Sequence, residues 1–466
     1  MIPRYYSWIL LLATLFASYP CHSLAPLNPR GQLNGNSRSF PDGAKKTKLS
    51  SSSTSALTAS EEGASKPASI SAATFNVIKA CVGSGVLALP AGLALLTDRP
   101  QATIPASLLI VAIGGLSAYT FFTLGRLCHE RNKSSLGELW TDLVGPSWIV
   151  DMCTFLMTLG ICLSYSIIIG DFASALSRLD RRICILGITA SCLYPLSRLP
   201  SLDALAPVSK ASIIGVLVTC GVMVYQWSVS SVTSRIVTAS GALAPSTNPL
   251  TALVLMSMAA TSYVCHFSAP EFLESTNRQM DQYKKVTIFG FSTVALINII
   301  ILCAGFLTFG RNSAGIILNS YPVSDPLAGL CRLLMLISII GGYPILLKGT
   351  TSALYSLIGT KQKTEGGSAR AVSPSVHHAV TVALLTIVTL ASLVLENAGF
   401  VVGFNGATMG SAITYIFPSL MAIKASQRRG ESPGWGNRLI LGFGVLSAIA
   451  GGTVSVLSAF APHMLQ

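Results

Sequence analysis

The sequence predicts an all-α integral membrane protein with about 11 transmembrane helices, the length of each set by a hydrocarbon core that takes ~20 helical residues to cross. Three observations carry this. Of 466 residues, 51% are hydrophobic and 11% charged, and the mean hydropathy is +0.61. That composition suits lipid and excludes an ordinary soluble enzyme. From Ser69 onward, apolar runs of span length follow one another with short polar loops between them. Lys and Arg are also segregated, gathering in and beside every second loop.

The chain begins differently. Residues 1–23 read as a secretory signal: Arg4 precedes an apolar core from Trp8 to Ala17, and small Ser23 suits a cleavage site. Residues 24–68 form a basic, Ser-rich, acid-poor leader with too little apolar content to fold. Ser23-Leu24-Ala25-Pro26 resembles the cleavage motif of bipartite plastid leaders, with Leu24 replacing the usual aromatic. A plain secretory leader with a flexible tail is the other reading. Residues 69–466 form the transmembrane domain.

The spans run over 73–96, 103–127, 147–170, 182–197, 206–228, 249–269, 286–309, 326–347, 376–395, 399–422 and 438–460. Basic residues concentrate by the even-numbered loops, which places those loops and the mature N-terminus on the cytosolic or stromal side. The formal charge of +13 is no nucleic-acid footprint, because no basic, aromatic-interleaved face exists. The 11 cysteines show no C-x-x-C and no zinc spacing, and read as small buried hydrophobes. No cofactor or metal is called for, and no protein partner can be named.

Span 1, TFNVIKACVGSGVLALPAGLALL, organises the rest. Gly83 and Gly85 weaken helix at its centre and Pro90 removes a backbone donor. Freed polar groups in lipid need partners, so a span that breaks at mid-depth lines a protected cavity. Close packing of another helix on the glycines is the plainer reading. Span 6 mirrors span 1: Ser262-Tyr263-Val264-Cys265-His266-Phe267 precedes Pro270 and Glu271. The two lie five spans apart, as the first helices of two repeats would.

TFNVIKACVGSGVLALP resembles the first helix of the amino acid/auxin permease family. YVCHFSAPEFLESTNRQMDQYKKVTIFGFSTVALINIIILCAGFLTFG resembles its sixth and seventh helices, and GFNGATMGSAITYIFPSLMAIK its tenth. The resemblance implies a LeuT-like 5+5 inverted repeat with broken helices 1 and 6, an extra helix 11 and a cytosolic N-terminus. It also implies amino-acid transport, usually with a cation. Ala91 stands where many relatives carry tyrosine.

An amino acid needs both charges neutralised away from water. N–H groups at a broken helix suit the carboxylate, and free carbonyls suit the ammonium. The candidate substrate-binding residues are therefore Gly83, Ser84, Gly85 and Val86, with Ser262, Tyr263, Cys265 and His266 opposite. Lys79, well inside span 1, is the candidate coupling residue. Sodium-coupled relatives resembling this chain carry an asparagine sodium ligand at the matching position, so a tethered ammonium there stands in for the ion. Snorkelling to the headgroups is its plainer reading. His266 is a proton relay or a structural hydrogen-bonding residue. Arg332 reads as snorkelling, Glu271 and Glu274 as a solvated loop face, and Glu396 as surface.

The expectation is a secondary active transporter of amino acids, not an enzyme, with protons as the coupling partner or no coupling ion, and not sodium. A membrane amino-acid sensor, or a carrier of another small zwitterion or auxin-like acid, is the alternative. The membrane is a plastid envelope or an endomembrane such as the vacuole.

Overall fold

The computed structural model describes residues 70–198, 206–238, 251–359, 373–432 and 434–461. The signal and transit readings of residues 1–23 and 24–68 lie outside these residues. Among the described residues every regular element is helical. Nine helices among the described residues are long and apolar enough to cross a membrane, and a helix pair bent by 49° makes a tenth if it is taken as one span.

That pair is span 1: α1 (Ile70–Cys81) and α2 (Ser84–Leu96). The interruption is confined to Val82 and Gly83. The expectation that Pro90 shares in the break is corrected, because α2 runs through Pro90. A proline ring kinks or breaks a helix through the lost N–H and the clash with the preceding turn. Packing compensates here: a Cβ built on Gly305 would stand 2.7 Å from Pro90 Cγ, so span 7 closes directly over the ring.

Next come α3 (Thr103–Arg131) and a short amphipathic helix, α4 (Leu136–Leu143). The Ser135 side chain caps α4 by accepting from the Glu138 N–H, and Leu136, Leu139, Trp140 and Leu143 are buried. After α5 (Trp148–Ser177), the segment expected as the fourth span consists of α6 (Arg181–Ile188), a π turn at Thr189–Leu193 and α7 (Tyr194–Ser197), and it is not among the nine long, apolar helices. It is shorter than a standard crossing, as its sequence indicated. Span 5 is α8 (Ala206–Thr238).

Span 6 is also discontinuous. It comprises α9 (Ala252–Ser262), three non-helical residues, a 3-10 turn at His266–Ser268 and α10 (Ala269–Ser275). Pro270 sits in the first turn of α10, where its missing N–H costs nothing. Spans 7, 8 and 9 are α11 (Met280–Phe309), α12 (Pro326–Leu357) and α13 (Pro374–Val394). Span 10 starts as α14 (Ala398–Asn405), passes through two π turns over Gly406–Gly410 and Ala412–Ile416, and ends as α15 (Phe417–Arg428). Span 11 joins α16 (Trp435–Leu446) to α17 (Gly452–Phe460) through a π turn.

Long helices α5 and α12 pack along each other, α3 packs on α11, and α2 packs on α9. The link from α11 to α12 is tied down by polar groups. Arg332 does not snorkel, which corrects the expectation for it. It is 2% exposed, and its guanidinium donates to the carbonyls of Leu318 at 2.9 Å, Tyr321 at 2.6 Å and Pro322 at 3.3 Å. Folding the side chain back over the loop satisfies three carbonyls at once. Asn319 on the same loop donates to Asp171 at 2.9 Å, and Asp171 pairs with Arg181 at 2.7 Å.

Candidate functional site

The two interruptions lie against each other. A Cβ built on Gly85 would stand 3.0 Å from the backbone nitrogen of Ser262 and 3.1 Å from its Cα. Only glycine admits so close a backbone approach. α2 begins at Ser84, and its N-cap, Gly83, supplies no side-chain hydrogen bond. The first N–H groups of α2, on Ser84, Gly85 and Val86, are thus the positive end of a half-helix without a side-chain cap. Facing them, α9 ends at Ser262, and the Tyr263 carbonyl accepts from the Cys81 thiol at 3.8 Å. A carboxylate acceptor and an ammonium donor have complementary helix ends here.

Seven of the eight proposed substrate-site residues have their backbone at this crossing, Gly83, Ser84, Gly85 and Val86 on one side and Ser262, Tyr263 and Cys265 on the other, but the Tyr263 side chain runs to α3, where its hydroxyl donates to the Ile110 carbonyl at 3.1 Å. Ser84 is 3% exposed, and Val86, Ser262, Tyr263 and Cys265 are all 0% exposed. Gly83 itself is part-exposed. The His266 ring turns elsewhere. Its Nε2 lies 3.0 Å from both the Ser117 carbonyl and Thr120 Oγ1 on α3, between the rings of Phe121 and Phe291. Its Nδ1 is buried without a hydrogen-bond partner.

Three contributors come from spans that sequence reasoning did not connect. Tyr165, on α5, places its hydroxyl 2.6 Å from the position of a Gly83 Cβ, and its ring edge lies 3.8 Å from that of Gly342 on α12. Its ring therefore lies between the break of span 1 and span 8. Ser164, its neighbour, hydrogen-bonds Ser84 at 2.9 Å. Asn298 on α11 is fully buried and donates to Ser262 Oγ at 2.8 Å. Its amide oxygen is buried without a hydrogen-bond partner. The only sequence signal for Tyr165 and Asn298 was a polar group at mid-depth in an apolar span.

Lys79 occupies the last turn of α1 and is half-buried. A cation there complements the negative end of the half-helix dipole. Span 10 approaches from behind: Thr261 Oγ1 donates to the Val402 carbonyl at 3.0 Å, and a Cβ on Gly406 would fall 1.7 Å from that hydroxyl. The π turn beginning at Gly406 thus brings bare backbone onto the last turn of α9. Ala91 lies away from the crossing, on a cavity of about 180 Å³ whose walls include Met258, Arg311, Asn397, Phe400 and Ser455.

Among proteins with similar sequences is the putative sodium-coupled neutral amino acid transporter 11 of Danio rerio, 25% identical over 80% of this chain and 83% of that protein. Vacuolar amino acid transporter 5 of Saccharomyces cerevisiae is 23% identical over 77% of this chain and 89% of its own length. The amino acid transporter AVT6E of Arabidopsis thaliana is 23% identical over 76% of each. A solved Na+-coupled sialic acid symporter in a substrate-bound outward-open state is similar over 83% of this chain and 89% of its own. Its TM-score is 0.49 and its identity 16%. A family model described as transmembrane amino acid transporter protein matches residues 66–457. The chain is a multi-pass membrane protein that belongs to the transmembrane amino acid transporter family.

Proposed function

We propose that this protein is a secondary active transporter that carries neutral amino acids by alternately opening the crossing of spans 1 and 6 to the two sides of its membrane. The observation that carries the reading is the pair of facing interruptions, with Gly85 against the backbone of Ser262. The N–H groups of Ser84, Gly85 and Val86 and the Tyr165 hydroxyl take the carboxylate. The Tyr263 carbonyl and the Asn298 amide oxygen take the ammonium. Apart from Lys79, the groups at the crossing are neutral, which favours a substrate without a charged side chain. The name of the Danio rerio relative supports the neutral class. Ser84, Val86, Ser262, Tyr263 and Cys265 are buried, so substrate reaches them when the halves part.

The proposed chain crosses the membrane 11 times, counting the nine long helices, the bent pair and the short fourth span, as two repeats of five with span 11 outside them. Its N-terminus is cytosolic or stromal, from the distribution of Lys and Arg. Coupling is to protons or absent. Lys79 supplies a fixed cation at the helix end where a coupled ion would otherwise sit. The relative's name says sodium-coupled; the lysine is the reason for the opposite reading here. The vacuolar relative of Saccharomyces cerevisiae favours an endomembrane, and the leader a plastid envelope. A fluorescent reporter fused to residues 1–66 separates these.

The test of function is uptake of a radiolabelled amino acid panel into proteoliposomes, at two pH values, with and without sodium. The proposal expects saturable, sodium-independent uptake of neutral amino acids. Binding without flux, or uptake that rises steeply with sodium and ignores pH, would overturn the respective part.

A further inference from the structure

The cavity beside Ala91 lies apart from the crossing: Ala91 is ~9 Å beyond Gly85 along α2, at ~1.5 Å per residue. Its volume of about 180 Å³ is several times the ~30 Å³ share of one water molecule. Arg311, in the 3-10 turn after α11, and Asn397, the N-cap of α14, line it where spans end. Ala91, Met258 and Ser455 line it from more than one turn inside α2, α9 and α17, and Phe400 adds an aromatic wall. Among the described residues on these walls Arg311 alone is charged. Its Nε lies 3.8 Å from Asp98, beyond hydrogen-bond length, so that pair leaves the planar fork of N–H groups to grip a carboxylate. The Asn397 amide oxygen accepts from the Phe400 N–H at 3.0 Å, which leaves the amide N–H2 to donate. The Ser455 hydroxyl is buried without a hydrogen-bond partner, a polar group that the chain itself leaves unused.

We propose that this cavity is a regulatory binding site for a small apolar monocarboxylate, whose carboxylate is held by the Arg311 guanidinium and the Asn397 amide and whose hydrocarbon body packs on Ala91, Met258 and Phe400. An ammonium finds no acidic side chain on these walls, and the Asn397 amide oxygen is already taken. The site therefore prefers the acid without an amino group, and so differs from the crossing. Spans 1, 6, 10 and 11 and the loop after α11 meet at the cavity, so its shape depends on how α2 and α9 stand against spans 10 and 11. A ligand that fits it in the described arrangement favours that arrangement over others. The bound acid slows the parting of the crossing without occupying it. This consequence rests on the transport reading above; the binding itself does not.

The probe is radiolabelled 4-methylpentanoate, which is leucine without its amino group, added at neutral pH to the purified full-length protein. The wild type is compared with Arg311→Gln, which removes the charge, and Ala91→Phe, which fills the cavity from α2. Arg311→Gln should weaken binding about tenfold or more, as expected for hydrogen bonds to a charged group, and Ala91→Phe should remove it. Melting curves check that both variants fold; if Ala91→Phe does not, Arg311→Gln decides alone. Unlabelled 4-methylpentanoate should displace the label, and leucine should need a concentration about ten times higher or more. No binding in the wild type, or binding that survives the substitutions, would overturn the site. Leucine displacing the label as well as the acid does would overturn the ligand class. In proteoliposomes at equal pH on both faces, the acid should lower the maximal rate of leucine uptake and leave KM unchanged, and Arg311→Gln should lose this effect. A raised KM with an unchanged maximal rate would put the acid at the crossing and overturn the regulatory role. Binding without any change in uptake would overturn that role alone. If the wild type moves no leucine, the proposed function fails, while the displacement titration still decides the site.

Discussion

Gly85→Ala is the sharpest perturbation of the crossing. The added methyl meets the nitrogen of Ser262 at 3.0 Å, its Cα at 3.1 Å and the Thr261 carbonyl carbon at 3.3 Å. All three are main-chain atoms, so no rotamer change relieves the contact. Either α2 or α9 must move by a few tenths of an ångström, and the faces that would carry the substrate's two charges move with it. Overpacking of one methyl costs ~1–3 kcal/mol. Spent against the substrate-bound state, that is about 5- to 150-fold in apparent affinity at ~1.4 kcal/mol per tenfold. Gly115→Ala is the control, because a Cβ there meets nothing within 4 Å. The assay is the concentration dependence of initial uptake rate in proteoliposomes, normalised to inserted protein. The expectation is a raised KM or lost uptake for Gly85→Ala, with Gly115→Ala at wild-type values. Unchanged kinetics in Gly85→Ala would mean that the glycine only packs helices and that substrate binds elsewhere.

Tyr165→Phe removes a hydroxyl that faces the break. A hydrogen bond to a charged group is worth ~1.5–3 kcal/mol, so KM should rise about tenfold or more with insertion intact; an unchanged KM removes Tyr165 from the site. Lys79→Ala should abolish concentrative uptake and Lys79→Asn should leave partial uptake stimulated by sodium, whereas near-normal, sodium-insensitive uptake in both would make the lysine structural. Arg332→Met would orphan three loop carbonyls at ~1–3 kcal/mol each. Its melting temperature in detergent should drop clearly below that of Arg311→Met, whose arginine is 44% exposed; equal melting would remove Arg332 from the loop's support.

Hydropathy marked where the chain enters lipid, and Gly83-Ser84-Gly85 marked where it breaks, because both depend on local composition. Insertion is decided span by span, and a glycine pair weakens helix wherever it stands. What the pattern could not show is what meets what. Pro90 looked like a breaker until the bare backbone at Gly305 closed over it. Arg332 looked like a snorkelling cation, but the residues whose carbonyls it binds lie 10 to 14 positions earlier in an irregular loop. Tyr165 and Asn298 sit on spans whose apolar pattern runs all round, so periodicity names no inward face. Their place at the crossing comes from the packing of α5 and α11, which is a tertiary fact. His266 neighbours Cys265 in the chain, but the turn at His266–Ser268 carries its ring to α3, where its contacts with Ser117 and Thr120 fit the structural reading rather than a place at the crossing.

The central claim is that the crossing of spans 1 and 6 carries amino acids by alternating exposure. Counterflow tests it most directly. Proteoliposomes preloaded with an unlabelled neutral amino acid are given a trace of the labelled one outside, at equal pH and without sodium. The account predicts a transient accumulation of label in the wild type, its loss in Gly85→Val, and no effect of sodium on either. Label that merely equilibrates in the wild type whatever the internal load, or counterflow preserved in Gly85→Val, would contradict it.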